Sequence, residues 1–211
     1  MSEYRPGGFQ YLPPVVKNLL IINVLVFLVL NLTGSSMQEY ILRNFALYNW
    51  ESPFFKPWQL VTHMFIHEEI FHVFFNMFAL WMFGNVMENV MGPKIFLSFY
   101  LICGIGAAVF YLGIQTFTGI DIDSLSYGAS GAIYGILFAY GYLFPNAMIA
   151  VSFILPMKAK YAVALFAGIE LVSAIMNKPG DTVGHFAHLG GMLVAFLFLF
   201  IWKKTRRNSY L

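Results

Sequence analysis

The chain has 211 residues, of which 59% are hydrophobic and only 10% charged, and its mean hydropathy is +0.71. Water-soluble domains carry about 25% charged residues, so a soluble globular domain is excluded. The sequence pI of about 8.6 reports on membrane topology rather than on nucleic-acid binding. The single cysteine, Cys103, lies inside an apolar run, so no intrachain disulfide can form.

In chain order, apolar runs of roughly the 20 residues that cross a bilayer recur and predict an all-α polytopic membrane protein of six spans. The first is expected over 15–32; it is followed by further spans and lacks a small-residue cleavage site, so it reads as a helix and not a signal peptide. A long connection over 33–69 carries Trp50, Phe54, Phe55 and Trp58 around Pro53 and Pro57. Its aromatic content suits a segment resting in the membrane interface, or a loop that caps the bundle. Further spans are expected over 70–90, 94–117 and, shorter than the rest, 130–144. The apolar stretch 149–155 is too short to cross and is expected to lie against the membrane. The last two spans are placed at 159–176 and 183–202, ahead of the basic run KKTRR. The domain organisation is thus a cytoplasmic N-terminal segment (1–14), one membrane domain (15–202) and a basic tail (203–211), with no internal repeat.

Lysine and arginine collect in cytoplasmic loops. With both termini inside, nine of the twelve are cytoplasmic, and only Arg43, Lys56 and Lys178 lie outside. An odd number of spans would part the basic tail from the N-terminus, so six spans with both ends cytoplasmic is the expected topology. A basic inner face suits a bacterial inner membrane.

Residues 127–135 read YGASGAIYG, with Ser130 where the chain enters the fourth span from outside. Unpaired N–H groups at a helix N-terminus favour developing negative charge. Gly128 and Gly131 flank the serine and admit another backbone or a substrate. Tyr134 lies one turn further on the same face. Two readings stand: Ser130 is a nucleophile, or it is a small packing residue on a strip with Gly131 and Gly135.

A nucleophilic serine needs a base, and GHFAHLGG at 184–191 places His188 near the outer end of the sixth span. An ionisable residue inside a span is expensive and marks function, and histidine can exchange a proton near neutrality. His185 is the rival, nearer the water; His188 is better framed by Gly184 and Gly191. The fourth and sixth spans offer no acidic residue at that depth. Glu170, in the fifth, is available as an orienter, but a Ser–His dyad is the more economical reading.

Residues 63–76 read HMFIHEEIFHVFFN. His72 and Asn76 share a helical face and can donate to an oxyanion. Three further readings stand for this stretch and its partners: a metal cluster of His63, His67, Glu68 and His72, without the HExxH spacing of zinc proteases; a structural His–Asn pair; and a transporter handling protons or ligands on intramembrane histidines.

Together these residues resemble the rhomboid family of intramembrane serine proteases. GASG at 128–131, AHLGG at 187–191, the pattern His67, His72, Asn76, the Glu88/Gly92 pair of an ExxxG motif, and Tyr134 all match in order, from Trp58 to Ala195. The resemblance implies a rhomboid-like bundle with Ser130 as nucleophile and His188 as general base and acid. The oxyanion site it implies comes from the Ser130 N–H with His72 and Asn76, while Tyr134 packs on the His188 ring. It also implies a first connection partly sunk in the membrane, a substrate entrance at the fifth span, and membrane-spanning protein substrates cut after a small residue with helix-breaking residues beyond. No cofactor or metal is expected. The family often has Trp-Arg before the second span; here the pair is Trp58-Gln59, which removes an arginine anchor for that loop. A non-proteolytic relative that binds client helices is the remaining alternative.

Overall fold

Pro13 and Pro14 open the first helix, where the fixed φ of proline helps and its missing N–H costs nothing. In the computed structural model, which describes residues 10–119, 125–151, 155–176 and 184–208, this helix is α1, Pro14–Leu32. The Val15 and Val16 amides donate to the Glu88 carboxylate at 3.0 and 2.8 Å. Glu88 is buried, so one half of the ExxxG motif caps the start of α1.

The long connection is ordered. It contains α2 (Ser35–Phe45) and α3 (Gln59–Thr62), which runs on into a 3-10 turn at His63–Phe65. Gln59 is fully buried. Its Oε1 accepts from the amides of Lys56 and Tyr48 at 3.1 and 3.4 Å, and its Nε2 donates to the carbonyls of Phe54 and Arg43 at 3.1 and 3.5 Å. The glutamine therefore pins the loop where an arginine was missed, by neutral hydrogen bonds that avoid burying a charge.

The second span is α4 (Ile70–Ala79), a π-helical turn at Leu80–Gly84, and α5 (Asn85–Met91). Gly92, with φ +81°, ends α5 in a conformation that favours glycine, and Pro93 begins α6 (Pro93–Thr118) at once. α7 is Ser130–Leu143. It is followed by a two-stranded antiparallel hairpin, β1 (Met148–Val151) and β2 (Leu155–Lys158), with Met148 opposite Lys158. α8 (Ala159–Met176) and α9 (His185–Asn208) complete the chain.

Among the described residues five helices are long and apolar enough to cross a membrane, so the chain is a multi-pass, helical membrane protein. α7 has 14 residues, about 21 Å at 1.5 Å per residue, against a hydrocarbon core of about 30 Å. It is short because it is central: it packs against α6 and α9 and buries Gly131, Ala132, Ile133, Gly135, Ile136, Leu137, Ala139 and Gly141. The close approach is made by small residues. A methyl group on Gly191 of α9 would stand 2.0 Å from the Gly131 carbonyl oxygen, and one on Gly135 would stand 2.8 Å from Cys103 Sγ of α6. The small-residue strip is therefore a helix contact.

Two segments take a form that the spans did not specify. The stretch 149–155 falls within the hairpin, where β-branched Ile149 and Val151 favour extended backbone; its tip, 152–154, lies outside the described residues. The helix that carries the last span runs on past Trp202: α9 continues through the basic run to Asn208, since Lys and Arg are good helix formers and suit a helix C-terminus. The expected start at Val183, the segment before Gln10 and the end of the tail are outside the described residues.

Candidate active site

The four residues before α7 are held by the first connection. Ser126 and Leu47 exchange backbone hydrogen bonds of 2.9 and 3.0 Å, the Gly128 amide donates to the His63 carbonyl at 2.8 Å, and the Ala129 amide donates to His67 Nε2 at 3.3 Å. Gly128 has φ +119°, and a methyl group there would stand 2.7 Å from His72 Nε2. Only glycine meets both conditions. The loop can then deliver Ser130 as the first residue of α7, where helix N–H groups lack partners within the helix.

Across from it, α9 presents His188, which is 7% exposed. Ser130 Oγ lies 2.8 Å from His188 Nε2. Tyr134 stacks on the imidazole with ring centroids 4.2 Å apart and planes 8° from parallel. Sequence reasoning singled out all three residues. His72 is brought to Gly128 and meets His67 edge to face at 4.9 Å, while Asn76 is buried and donates to the His72 carbonyl at 2.9 Å.

One residue carries more than the sequence reading assigned it. Glu170 of α8 is buried. Its Oε2 lies 2.6 Å from His185 Nδ1 and 3.0 Å from His188 Nδ1, and its Oε1 accepts from the Tyr134 hydroxyl. His185, weighed as a rival base, is instead the partner of this carboxylate. The signal was present, since Glu170 is an ionisable residue within an apolar span; which way it faces depends on how α8 is rotated. Among the described residues, Glu170, His185 and His188 are also the group whose donor atoms lie close enough to hold a metal ion. His63, His67, Glu68 and His72 do not form such a group. His63 Nδ1 turns instead to the Gln59 carbonyl at 2.8 Å.

His63 and His67 lie outside the spans, and burial depresses both, to about 4 and about 3. They are neutral in the folded protein at pH 7, and an unfolded chain would begin to protonate them near pH 6.5. The stability they contribute is complete above pH 6.5 and is lost as pH falls toward their folded values. Each histidine costs up to about 1.4 kcal/mol per pH unit in that window. The thermal midpoint in detergent is expected to fall between pH 6.5 and 4.5, and the H63Q/H67Q variant to show a flatter profile over the same range.

The Rhomboid domain profile matches residues 55–205 of this chain. The chain is similar to Rhomboid protein 1, mitochondrial, of Saccharomyces cerevisiae, 32% identical over 139 residues that are 66% of this chain and 40% of the yeast protein. It is 32% identical over 194 residues to the human presenilin-associated rhomboid-like protein, mitochondrial, covering 89% of this chain and 49% of that one. With Bacillus subtilis YdcA the identity is 31% over 154 residues, 71% of this chain and 70% of YdcA. The chain thus spans about half or less of the yeast and human relatives.

Proposed function

This chain belongs to the rhomboid family, and from that premise we propose that it is an intramembrane serine endopeptidase, cutting peptide bonds in or near the membrane-spanning segments of other proteins. The observation that carries the reading is the 2.8 Å contact between Ser130 Oγ and His188 Nε2 at the start of a buried helix.

His188 takes the hydroxyl proton as Ser130 Oγ attacks the scissile carbonyl. The carbonyl electrons pass to oxygen, and the Ser130 N–H with His72 and Asn76 donates to that oxyanion. Collapse breaks the C–N bond, the leaving amine takes the proton from His188, and an acyl ester remains on Ser130. Water then attacks the ester as His188 takes its proton; the C–O bond to Ser130 breaks, Oγ takes that proton back from His188, and the new carboxyl terminus leaves. Tyr134 holds the ring in plane throughout. In this reading nucleophile, base and oxyanion donors are all protein groups, and the steps call on no metal or cofactor. A substrate helix enters beside α8 and must unwind locally to expose its peptide bond.

In this reading α7 counts as the fourth of six spans, and its depth sets the serine below the outer surface. Both termini are then cytoplasmic, with the basic end of α9 on the inner face, and a bacterial inner membrane suits that distribution. The membrane domain extends over 15–202.

A fluorophosphonate probe tests the reading without a substrate. Labelling of the detergent-solubilised protein, mapped to Ser130 and absent in H188A, is the expected result. Folded protein that takes no label favours a client-binding protein, or one that uses the Glu170, His185 and His188 group to bind ions.

A further inference from the structure

Glu170 has no place in a two-residue Ser–His mechanism, yet the fold goes to some expense to keep it. A carboxylate at this depth in an apolar bundle is costly unless its lone pairs are occupied. Three polar groups from two other helices face it: the Tyr134 hydroxyl from α7 and His185 Nδ1 from α9 in hydrogen bonds, and His188 Nδ1 from α9 at 3.0 Å. A structural knot would account for the first two. The third is the far nitrogen of the same ring whose near nitrogen faces Ser130: His188 Nδ1 lies 3.0 Å from the carboxylate, within ion-pair reach though not aligned as a hydrogen bond, and it has no other polar partner.

We propose that Glu170 is the positioning residue of the hydrolytic site, acting through His188 as the third member of a Ser–His–Glu chain. The proposal rests on Ser130 and His188 being nucleophile and base. With the carboxylate at Nδ1, the neutral ring keeps its proton on Nδ1 and turns the Nε2 lone pair to Ser130 Oγ. When Nε2 takes the serine proton, Nδ1 keeps its own, Glu170 stays ionised, and the imidazolium forms against a negative charge already in place. The Nε2 proton leaves with the amine, which restores the starting state.

The carboxylate also makes the base depend on α8. Apart from Glu170, the buried residues of α8 are Ala159, Ala162 and Ala174, which are small and apolar. An outward swing of α8 removes the carboxylate from His188, so the ring is oriented for proton transfer only when α8 is seated.

Glu170→Gln gives an asymmetric test. The Tyr134 hydroxyl meets one terminal atom and the histidines the other. A tyrosine hydroxyl can also accept, so the telling arrangement is the one in which the amide NH2 faces the histidines, and the ¹⁵N spectrum identifies it. That favours the Nε2–H tautomer of His188, which cannot accept the serine proton. Glu170→Ala leaves the tautomer free. The expected order of kcat on a model membrane substrate is wild type, then E170D, then E170A, with E170Q lowest at roughly 10³-fold or more below wild type, by analogy with the wrong-tautomer effect in triads. KM is expected to stay within about threefold. In ¹⁵N NMR of histidine-labelled protein, the His188 signals should move from the Nδ1–H to the Nε2–H pattern in E170Q.

A merely structural carboxylate predicts the reverse order, with E170A worst in both melting temperature and activity and no change of tautomer, and that result would overturn the proposal. Loss of wild-type activity in EDTA with recovery on adding Zn²⁺ would overturn it too, by making the three residues a metal site. Wild-type protein that takes no fluorophosphonate at Ser130 removes the serine-hydrolase premise itself, whereas slow labelling at Ser130 in E170Q leaves the premise standing and supports the positioning role.

Discussion

Ser130→Ala is expected to remove cleavage of a membrane-spanning substrate reconstituted with the enzyme in liposomes, by roughly 10⁴-fold or more in kcat, the scale on which serine hydrolases lose activity when the nucleophile is deleted. The hydroxyl, 2.8 Å from His188 Nε2, is the attacking atom, and alanine puts no nucleophile in its place. The fold should barely register the change. One hydrogen bond is lost, worth about 1 kcal/mol, and the Gly128 and Ala129 amides keep their partners on His63 and His67. A melting temperature within a few degrees of wild type, together with undetectable cleavage, is the expected pair of readings. Cleavage by S130A at the wild-type rate would end the serine-protease reading.

Gly191→Val is expected to have the largest effect on stability. The Cβ it adds would stand 2.0 Å from the Gly131 carbonyl oxygen. That neighbour is backbone in the middle of the helix contact and cannot rotate away, so α7 and α9 must part. Overpacking of this kind costs about 3 kcal/mol or more, and about 2–4 °C of melting temperature accompanies each kcal/mol in a chain of this size. The variant should melt on the order of 6–12 °C lower. Its activity should fall further than its stability, because His188 lies one helical turn before Gly191 and must stay within hydrogen-bonding reach of Ser130. Gly168→Ala is the control. It sits on α8 with no atom within 4 Å of the added methyl, and helix propensity favours alanine there by about 1 kcal/mol. Equal melting temperatures for the two variants would mean that the α7–α9 contact is looser than described.

These two positions illustrate what could be read from the chain and what could not. Ser130, Tyr134 and His188 were legible because local features mark them: a serine between glycines at a helix start, an aromatic one turn on, and a histidine in an apolar span. The boundary between the second and third spans, expected between 90 and 94, falls where Gly92 ends one helix and Pro93 starts the next. Glu170 was visible as an anomaly, but its partnership with His185 and His188 follows from the rotation of α8 against α9, and a weakly amphipathic span does not encode that rotation. Gln59 shows the same limit. Read against an arginine it looked like a missing anchor, because its four partners come from residues 43, 48, 54 and 56, and only the folded connection brings them together. The hairpin at Met148–Lys158 was missed because a seven-residue apolar window does not distinguish a strand from an interfacial segment.

The cap that Glu88 places on α1 bears on how the protein is made. The carboxylate and the Val15 and Val16 amides it receives are 73 and 72 residues apart in the chain. At about 5–20 residues per second, the ribosome supplies the acceptor on the order of 4–15 s after it has finished the donors. During that interval the first turn of α1 has only water and lipid headgroups to satisfy it. α1 can enter the membrane first, but it docks only when the second span arrives carrying Glu88. The earliest unit of assembly in the nascent chain is therefore a pair of helices closed by one carboxylate, and a chain arrested before residue 88 holds a first helix whose start remains uncapped.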